Sequence, residues 1–201
     1  LKGWYTGSGM TYLYNADTSQ YVDGFWPTVE ALRLPGTTTD GLTKASGTSA
    51  EAWVGGASAG GVYGAAGMAF RYPDSGLSGR KSWFMFDDEI VALGSGITAS
   101  AAGTYETVVE NRKLAGAGLN AFAINGEAKP VEPGWSEQMS GVRWAHLAGT
   151  AVGSDIGYVF PGGANVAAKR ESRTGSWYDV NRSGSKEPLT RHYLTLWLDH
   201  G

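Results

Sequence analysis

Apolar and polar residues alternate with a period of two along much of this chain, which is the period of a half-buried β-strand. The clearest runs are Met10-Tyr12-Tyr14, Met68-Phe70-Tyr72 and residues 104–112, with weaker ones at 119–124, 158–160 and 193–198. Residues 83–86 and 90–93 are apolar at consecutive positions, which predicts central strands covered on both faces. There is no long amphipathic helical pattern.

Turn signals separate these runs. Asp87-Asp88 predicts one hairpin turn, and Asn125-Gly126 is a strong signal for another. Glycine contributes 31 of the 201 residues and clusters at 37–47, 55–61, 74–79 and 162–164, where we expect loops. No repeat of fixed period is present. The pattern predicts an all-β fold, a large antiparallel sandwich formed by residues 1–201 as one domain.

Composition removes several classes of function. The chain has no cysteine, so disulfides, thiolate metal sites and a cysteine nucleophile are excluded. A formal net charge of −3 offers no basic footprint for nucleic acid. No apolar run approaches the roughly 18 residues of a membrane-spanning helix. We therefore expect neither nucleic acid nor a membrane as a partner.

Two short motifs point to chemistry, and each has a simpler explanation. Asp87, Asp88 and Glu89 place carboxylates at a hairpin tip, where they could ligate a structural calcium or form an ordinary solvated turn. Residues 56–60 read GASAG, the pattern of a serine-hydrolase elbow. Because glycines flank it and no helix follows, we interpret this match as chance.

The chain has eight tryptophans, more than one core is expected to hold. Sugar rings stack on aromatic side chains, and a tryptophan beside a loop suits that role. Trp26 and Trp135 lie next to Pro27 and to Pro133-Gly134, so both are candidates for substrate binding. Partial burial at a sheet edge is the alternative for each.

Several longer stretches, in order along the chain, resemble polysaccharide lyase family 8, the hyaluronate, chondroitin AC and xanthan lyases. They are KGWYTGSGMTYLYN (2–15), FWPTV (25–29), RLPGTT (33–38), KSWFMF (81–86), IVALGSGI (90–97), TVVENRKL (107–114), GYVF (157–160) and LTLW (194–197).

The resemblance implies the central β super-sandwich of a longer enzyme, of the galactose-mutarotase-like type. An α/α toroid would precede this domain and a smaller β domain would follow it. The resemblance also implies a secreted, extracellular lyase that cleaves acidic polysaccharide by β-elimination at a uronic acid, without a required cofactor. The principal Asn, His, Tyr and Arg of the reaction belong to the toroid, so we expect this chain alone to be inactive.

The family contributes a Glu or Asn from the loop before the RLPGTT turn, and Glu30 occupies that position. The resemblance implies that Glu30 supports the catalytic groups of the toroid, with a surface glutamate as the alternative. Arg33 is nearby and could contact substrate, or it could form an ion pair with Glu30.

Hyaluronan or chondroitin is the substrate class that we favour from the sequence, with xanthan as the alternative. A non-catalytic carbohydrate-binding sandwich is the competing hypothesis from another class of protein.

Overall fold

The computed structural model describes residues 5–42 and 49–201. Its regular structure consists almost entirely of antiparallel strands, so the predicted all-β class is confirmed. The helical elements are single turns: a 3-10 turn at Tyr5–Ser8, α1 at Phe25–Thr28 and α2 at Trp177–Val180. In the described ranges, no helix is long and apolar enough to cross a membrane. The start of the first family-like stretch and part of the predicted loop at 37–47 lie outside these ranges.

The larger sheet has seven strands in the order β1-β6-β11-β10-β9-β7-β8. Their bounds are β1 Thr38–Thr39, β6 Glu106–Leu114, β7 Phe122–Ile124, β8 Glu127–Ala128, β9 Ser136–Leu147, β10 Ile156–Gly175 and β11 Leu189–Asp199. Asn125 and Gly126 join β7 to β8 with positive φ angles of 51° and 89°, which a two-residue type I′ turn requires. The hairpin predicted from this dipeptide is confirmed.

The smaller sheet is a four-stranded meander in the order β2-β3-β4-β5. Its strands are β2 Val54–Ala59, β3 Tyr63–Arg71, β4 Ser78–Met85 and β5 Ile90–Thr98. The predicted turn at Asp87-Asp88 joins β4 to β5, and the Phe86 N–H donates to the Glu89 carbonyl at 2.8 Å.

Four predictions about local structure are wrong. The predicted loop at 162–164 lies within β10, where Gly162 and Gly163 have φ angles of 82° and 85° and the register with β9 shifts. The glycine-rich stretch 55–61 is mostly strand β2, because Gly60 and Gly61 alone supply the positive φ angles of the turn into β3. Residues 90–93 belong to β5, the edge strand of its sheet, where Ile90 is 45% and Leu93 54% exposed. Residues 10–14 form no strand, and the Thr11 N–H donates to the Pro35 carbonyl (2.9 Å) where a ladder was expected.

Successive side chains of strand β11 point to opposite faces of the larger sheet, and the two faces are covered by different residues. Leu194 and Leu196 point into the main core on one face of the larger sheet, and both are fully buried. Tyr193 points to the other face, where it packs with Phe25 and Leu34. The segment from residue 19 to residue 37 therefore covers this second face, and it contains three of the predicted site residues, Trp26, Glu30 and Arg33.

The two sheets meet where β4 approaches the turn at residues 33–38. The ammonium group of Lys81, a residue only 5% exposed, donates a hydrogen bond to the carbonyl of Gly36. Gly36 has a φ of 82°, and a Cβ there would lie 2.8 Å from the Gly9 carbonyl oxygen, so glycine is required. Burial lowers the pKa of Lys81 from its ordinary value of 10.5 to about 7.

This buried lysine predicts a pH dependence of stability. Between pH 7 and 10.5 the unfolded chain retains a proton that the folded chain has released, so the free energy of unfolding rises with pH across that window. In Lys81→Met this contribution is absent. The stability of the variant relative to the wild type should therefore fall by up to about 1.4 kcal/mol per pH unit.

Urea denaturation at several pH values in this window measures the difference. Lys186→Met, at an exposed position, is the control and should track the wild type. The charge of Lys81 also acts on His200, whose pKa is lowered from 6.5 by burial and which therefore titrates below the window. Parallel stability curves for Lys81→Met and wild type would contradict the prediction.

Candidate functional site

Three of the predicted site residues, Trp26, Glu30 and Arg33, lie on the segment that crosses the second face of the larger sheet. Its helix α1 begins after Gly24, whose φ is 68°, and buries Phe25 completely. The Thr28 hydroxyl donates to the Gly24 carbonyl at 2.7 Å and is hydrogen-bonded to the Tyr193 hydroxyl at 2.7 Å. These bonds attach α1 to β11, so the residues that follow α1 start from a defined position.

Arg33 is held by a carboxylate and an aromatic ring. Its Nε and Nη2 donate to the two oxygens of Glu106 at 2.7 and 2.6 Å, and its guanidinium lies 4.4 Å from the ring centroid of Trp197. The hydrogen bond to Glu106 raises the pKa of Arg33 above its ordinary value. The suggested ion pair of Arg33 with Glu30 is wrong, because the partner comes from β6. Contact of Arg33 with substrate stays a prediction.

The backbone of the same turn is held by Asn111, which is fully buried. Its Nδ2 donates to the Arg33 carbonyl at 2.7 Å, while its Oδ1 accepts from Arg173 Nη1 at 2.9 Å and from the Thr195 hydroxyl at 3.3 Å. Each polar group of this amide therefore has a partner, which burial requires. Arg33 is therefore fixed at two points: Glu106 binds its side chain, and Asn111 binds its backbone carbonyl.

Glu30 is the least constrained of these side chains. It is half-buried, and its Oε1 accepts one long hydrogen bond, from the Leu32 N–H at 3.4 Å. In residues 5–42 and 49–201 no ion pair involves Glu30. Its charge contributes to the raised pKa of Arg33, which places it close to that guanidinium. A carboxylate on a fixed turn is thus available to a group outside this domain.

The two candidate tryptophans differ in their surroundings. Trp26 is half-buried and packs edge-on against Phe25, with ring centroids 5.1 Å apart at 89°. It is therefore beside the Glu30 turn, as a substrate contact would need. Trp135 packs against the main core next to Phe122, at 6.2 Å, which supports the interpretation of partial burial.

The acidic hairpin tip is not part of a cluster of metal ligands among the described residues. Asp87, Asp88 and Glu89 are exposed on the β4–β5 turn, and the described residues contain no group of three His, Cys, Asp or Glu able to hold a metal ion. An ordinary solvated turn is therefore the better supported interpretation of these three residues. The GASAG motif lies in β2 and the following turn, without the helix of an elbow.

Comparison with known proteins identifies the family to which this fold belongs. The family model described as "Polysaccharide lyase family 8, super-sandwich domain" matches residues 1–201. The chain belongs to this family.

Family 8 relatives are much longer than this chain. A xanthan lyase from Bacillus sp. (strain GL1) is 56% identical over 204 residues, covering 100% of this chain and 22% of the relative. A hyaluronate lyase from Thermasporomyces composti is 46% identical over 208 residues, covering 100% of this chain and 26% of the relative. The chain thus spans about a quarter of these proteins or less.

Solved structures of family 8 enzymes share the fold. A Paenibacillus xanthan lyase superposes with a TM-score of 0.93 at 52% identity, over 98% of this chain and 20% of that one. A Streptomyces coelicolor A3 chondroitin AC lyase, in complex with chondroitin sulphate, gives 0.75 at 40% identity, over 98% and 25%. The super-sandwich expected from the resemblance is confirmed.

Sequence reasoning missed Glu106, Asn111 and Trp197 as parts of this family 8 site. Asn111 and Trp197 lie in stretches that resemble family 8, but the resemblance did not indicate what either residue does. Glu106 is 73 residues from Arg33 along the chain. The antiparallel pairing of β1 with β6 and the bonds of the preceding turn to β6 bring them together.

Removing the carboxylate charge at Glu106 should destabilise the family 8 domain. Glu106→Gln leaves the half-buried guanidinium of Arg33 without its ion pair, and we expect a loss of about 1 to 3 kcal/mol in the free energy of unfolding. Glu51→Gln is the matched control, because its ion pair with Arg71 at 2.8 Å is more exposed. The control should lose less than about 1 kcal/mol. Equal losses in denaturant titrations would show that the Arg33 anchor is dispensable.

Proposed function

We propose that this domain is one part of a longer polysaccharide lyase that cleaves an acidic polysaccharide by β-elimination at a uronic acid. The observation that carries the proposal is the match of the family 8 super-sandwich over residues 1–201, together with relatives named as lyases. The partners of the domain would be the polysaccharide and an α/α toroid of the same polypeptide. Because such polymers are too large to enter a cell, we infer that the enzyme is secreted.

The proposed reaction breaks one bond without oxidation or reduction. Neutralising the uronate carboxyl makes the C5 proton more acidic, and a base removes that proton. The electron pair forms the C4–C5 double bond while the C4–O4 bond breaks. An acid protonates the departing O4, so the products are an unsaturated uronate and a new hydroxyl. The elimination requires no cofactor.

The geometry supports an auxiliary role for this domain. Arg33 is committed to Glu106 and Trp197, whereas among residues 5–42 and 49–201 the Glu30 carboxylate accepts one long hydrogen bond. A carboxylate that is held in place but not paired can orient a cationic or hydrogen-bonding group on a facing surface. Glu30 would therefore support catalytic groups that the toroid supplies, at one wall of the cleft.

Xanthan is the first substrate to test, because identity is 56% with a xanthan lyase against 46% with a hyaluronate lyase. Hyaluronan or chondroitin is the second candidate, since relatives named for these substrates also match the whole chain.

The reaction predicts a new absorbance. The full-length protein mixed with xanthan, hyaluronan or chondroitin should produce an unsaturated uronate that absorbs near about 230 nm. This domain alone should produce none. Oligosaccharide binding by the isolated domain, with no absorbance change from intact full-length protein on any of the polymers, would instead favour a non-catalytic binding module.

Replacing Glu30 should slow the chemical step. In the full-length enzyme, Glu30→Ala should lower kcat by about ten- to a hundredfold, as expected for a group that orients catalytic residues. Glu89→Ala, on the exposed β4–β5 turn, is the matched control and should leave kcat unchanged. Thermal denaturation of both variants separates a catalytic effect from loss of fold. Unchanged turnover in a folded Glu30→Ala enzyme would remove Glu30 from the site.

A further inference from the structure

Two exposed tyrosines stand side by side near the start of the described chain. Tyr12 is 39% exposed and Tyr14 73% exposed. Their ring centroids are 6.5 Å apart and their planes differ by only 11°. The two rings are thus nearly parallel and both reach the surface, an arrangement that we call the tyrosine pair.

The tyrosine pair rests on a buried ring. Tyr21 is 8% exposed, and its ring centroid lies 5.1 Å from that of Tyr12 and 5.2 Å from that of Tyr14. Its hydroxyl also accepts from the Leu13 N–H at 2.9 Å and donates to the Leu13 carbonyl at 3.4 Å. One side chain therefore supports both rings and fixes the backbone between them.

This support also explains why residues 10–14 keep the strand-like alternation without belonging to a sheet. Burial raises the pKa of Tyr21 to about 12, so its hydroxyl remains protonated and can donate at neutral pH. Arg112 Nη1 adds a donor to the same Leu13 carbonyl at 3.4 Å. The segment is anchored by these side chains and by the Thr11 N–H to Pro35 carbonyl bond, where a neighbouring strand would otherwise anchor it.

The tyrosine pair is continuous with the proposed cleft wall. The ring centroid of Trp26 lies 6.4 Å from that of Tyr12, and Trp26 is four positions before Glu30. A row of aromatic rings therefore runs from Tyr14 through Tyr12 to Trp26. Its far end is the segment that carries the Glu30 carboxylate.

Such a row has the chemistry to hold a polysaccharide chain. Pyranose rings present C–H faces that stack on aromatic rings, and phenol hydroxyls can exchange hydrogen bonds with sugar hydroxyls. Because Tyr21 and Leu13 already fix the two rings, binding would cost little additional side-chain entropy. The hydroxyl of Tyr14 keeps one end of the ring polar, as a hydrated ligand requires.

We propose that Tyr12 and Tyr14 form a sugar-stacking subsite that binds pyranose units of the substrate chain beyond those at the Glu30 end of the row. This inference rests on the proposed function and adds a binding site to it. The role is binding rather than chemistry, so it should affect KM and not kcat.

The test uses the full-length enzyme and substrate fragments of increasing length. Tyr14→Ala and Tyr12→Ala should each raise KM about five- to twentyfold for long fragments, with kcat changed less than about twofold. Tyr14→Phe retains the ring and should keep KM near the wild-type value. Tyr63→Ala is the matched control, because Tyr63 is 53% exposed but lies on the smaller sheet.

The outcomes separate this inference from its premise. Unchanged KM in both alanine variants would overturn the subsite. A lower kcat and a lower melting temperature at unchanged KM would also overturn it, in favour of a contact with another part of the protein. If the wild type makes no unsaturated product, the proposed function fails. Calorimetric binding of the same fragments then tests the subsite by itself. Weaker binding by Tyr14→Ala than by Tyr63→Ala would support the subsite, and equal binding would overturn it.

Discussion

The attachment of one irregular turn to strand β6 is the constraint on which the rest of this domain depends. Gly36 donates its N–H to the Val108 carbonyl at 2.7 Å, Asn111 holds the Arg33 carbonyl, and Glu106 holds the Arg33 side chain. All three partners come from β6. Without them the turn would lose most of the long-range bonds that define it, because Arg33 N–H to Glu30 carbonyl and Thr37 N–H to Leu34 carbonyl are only local hydrogen bonds.

The groups that attach the turn to β6 are polar and buried. They therefore favour one arrangement of the chain, and breaking their hydrogen bonds would lower the stability of the fold. A buried amide or charge stabilises the fold only when its hydrogen bonds are made, and it penalises every arrangement in which they are not. Asn111 meets this condition through Arg33, Arg173 and Thr195. The same logic applies to Lys81, whose single carbonyl partner joins the smaller sheet to the turn.

The attachment of this turn determines which side chains are used inside the domain and which remain accessible at its surface. Arg33 is occupied within the domain, whereas Glu30 is only half-buried and the rings of Tyr12 and Tyr14 are exposed. A binding wall benefits from this division, because groups that are already positioned lose little freedom when a ligand arrives. The proposed lyase would thus take positioning from the β sandwich and proton transfer from the toroid.

The sequence by itself determined the all-β class, the two tight hairpin turns and the family, because these depend on short-range alternation, turn residues and long unusual motifs. It also placed Glu30 and Trp26 on one short segment. It could not reveal that Glu106 rather than Glu30 pairs with Arg33, that residues 90–93 form an edge strand, or that Tyr21 supports Tyr12 and Tyr14. Those outcomes depend on which strands become neighbours, and alternation records only which face of a strand is apolar, not what lies against it.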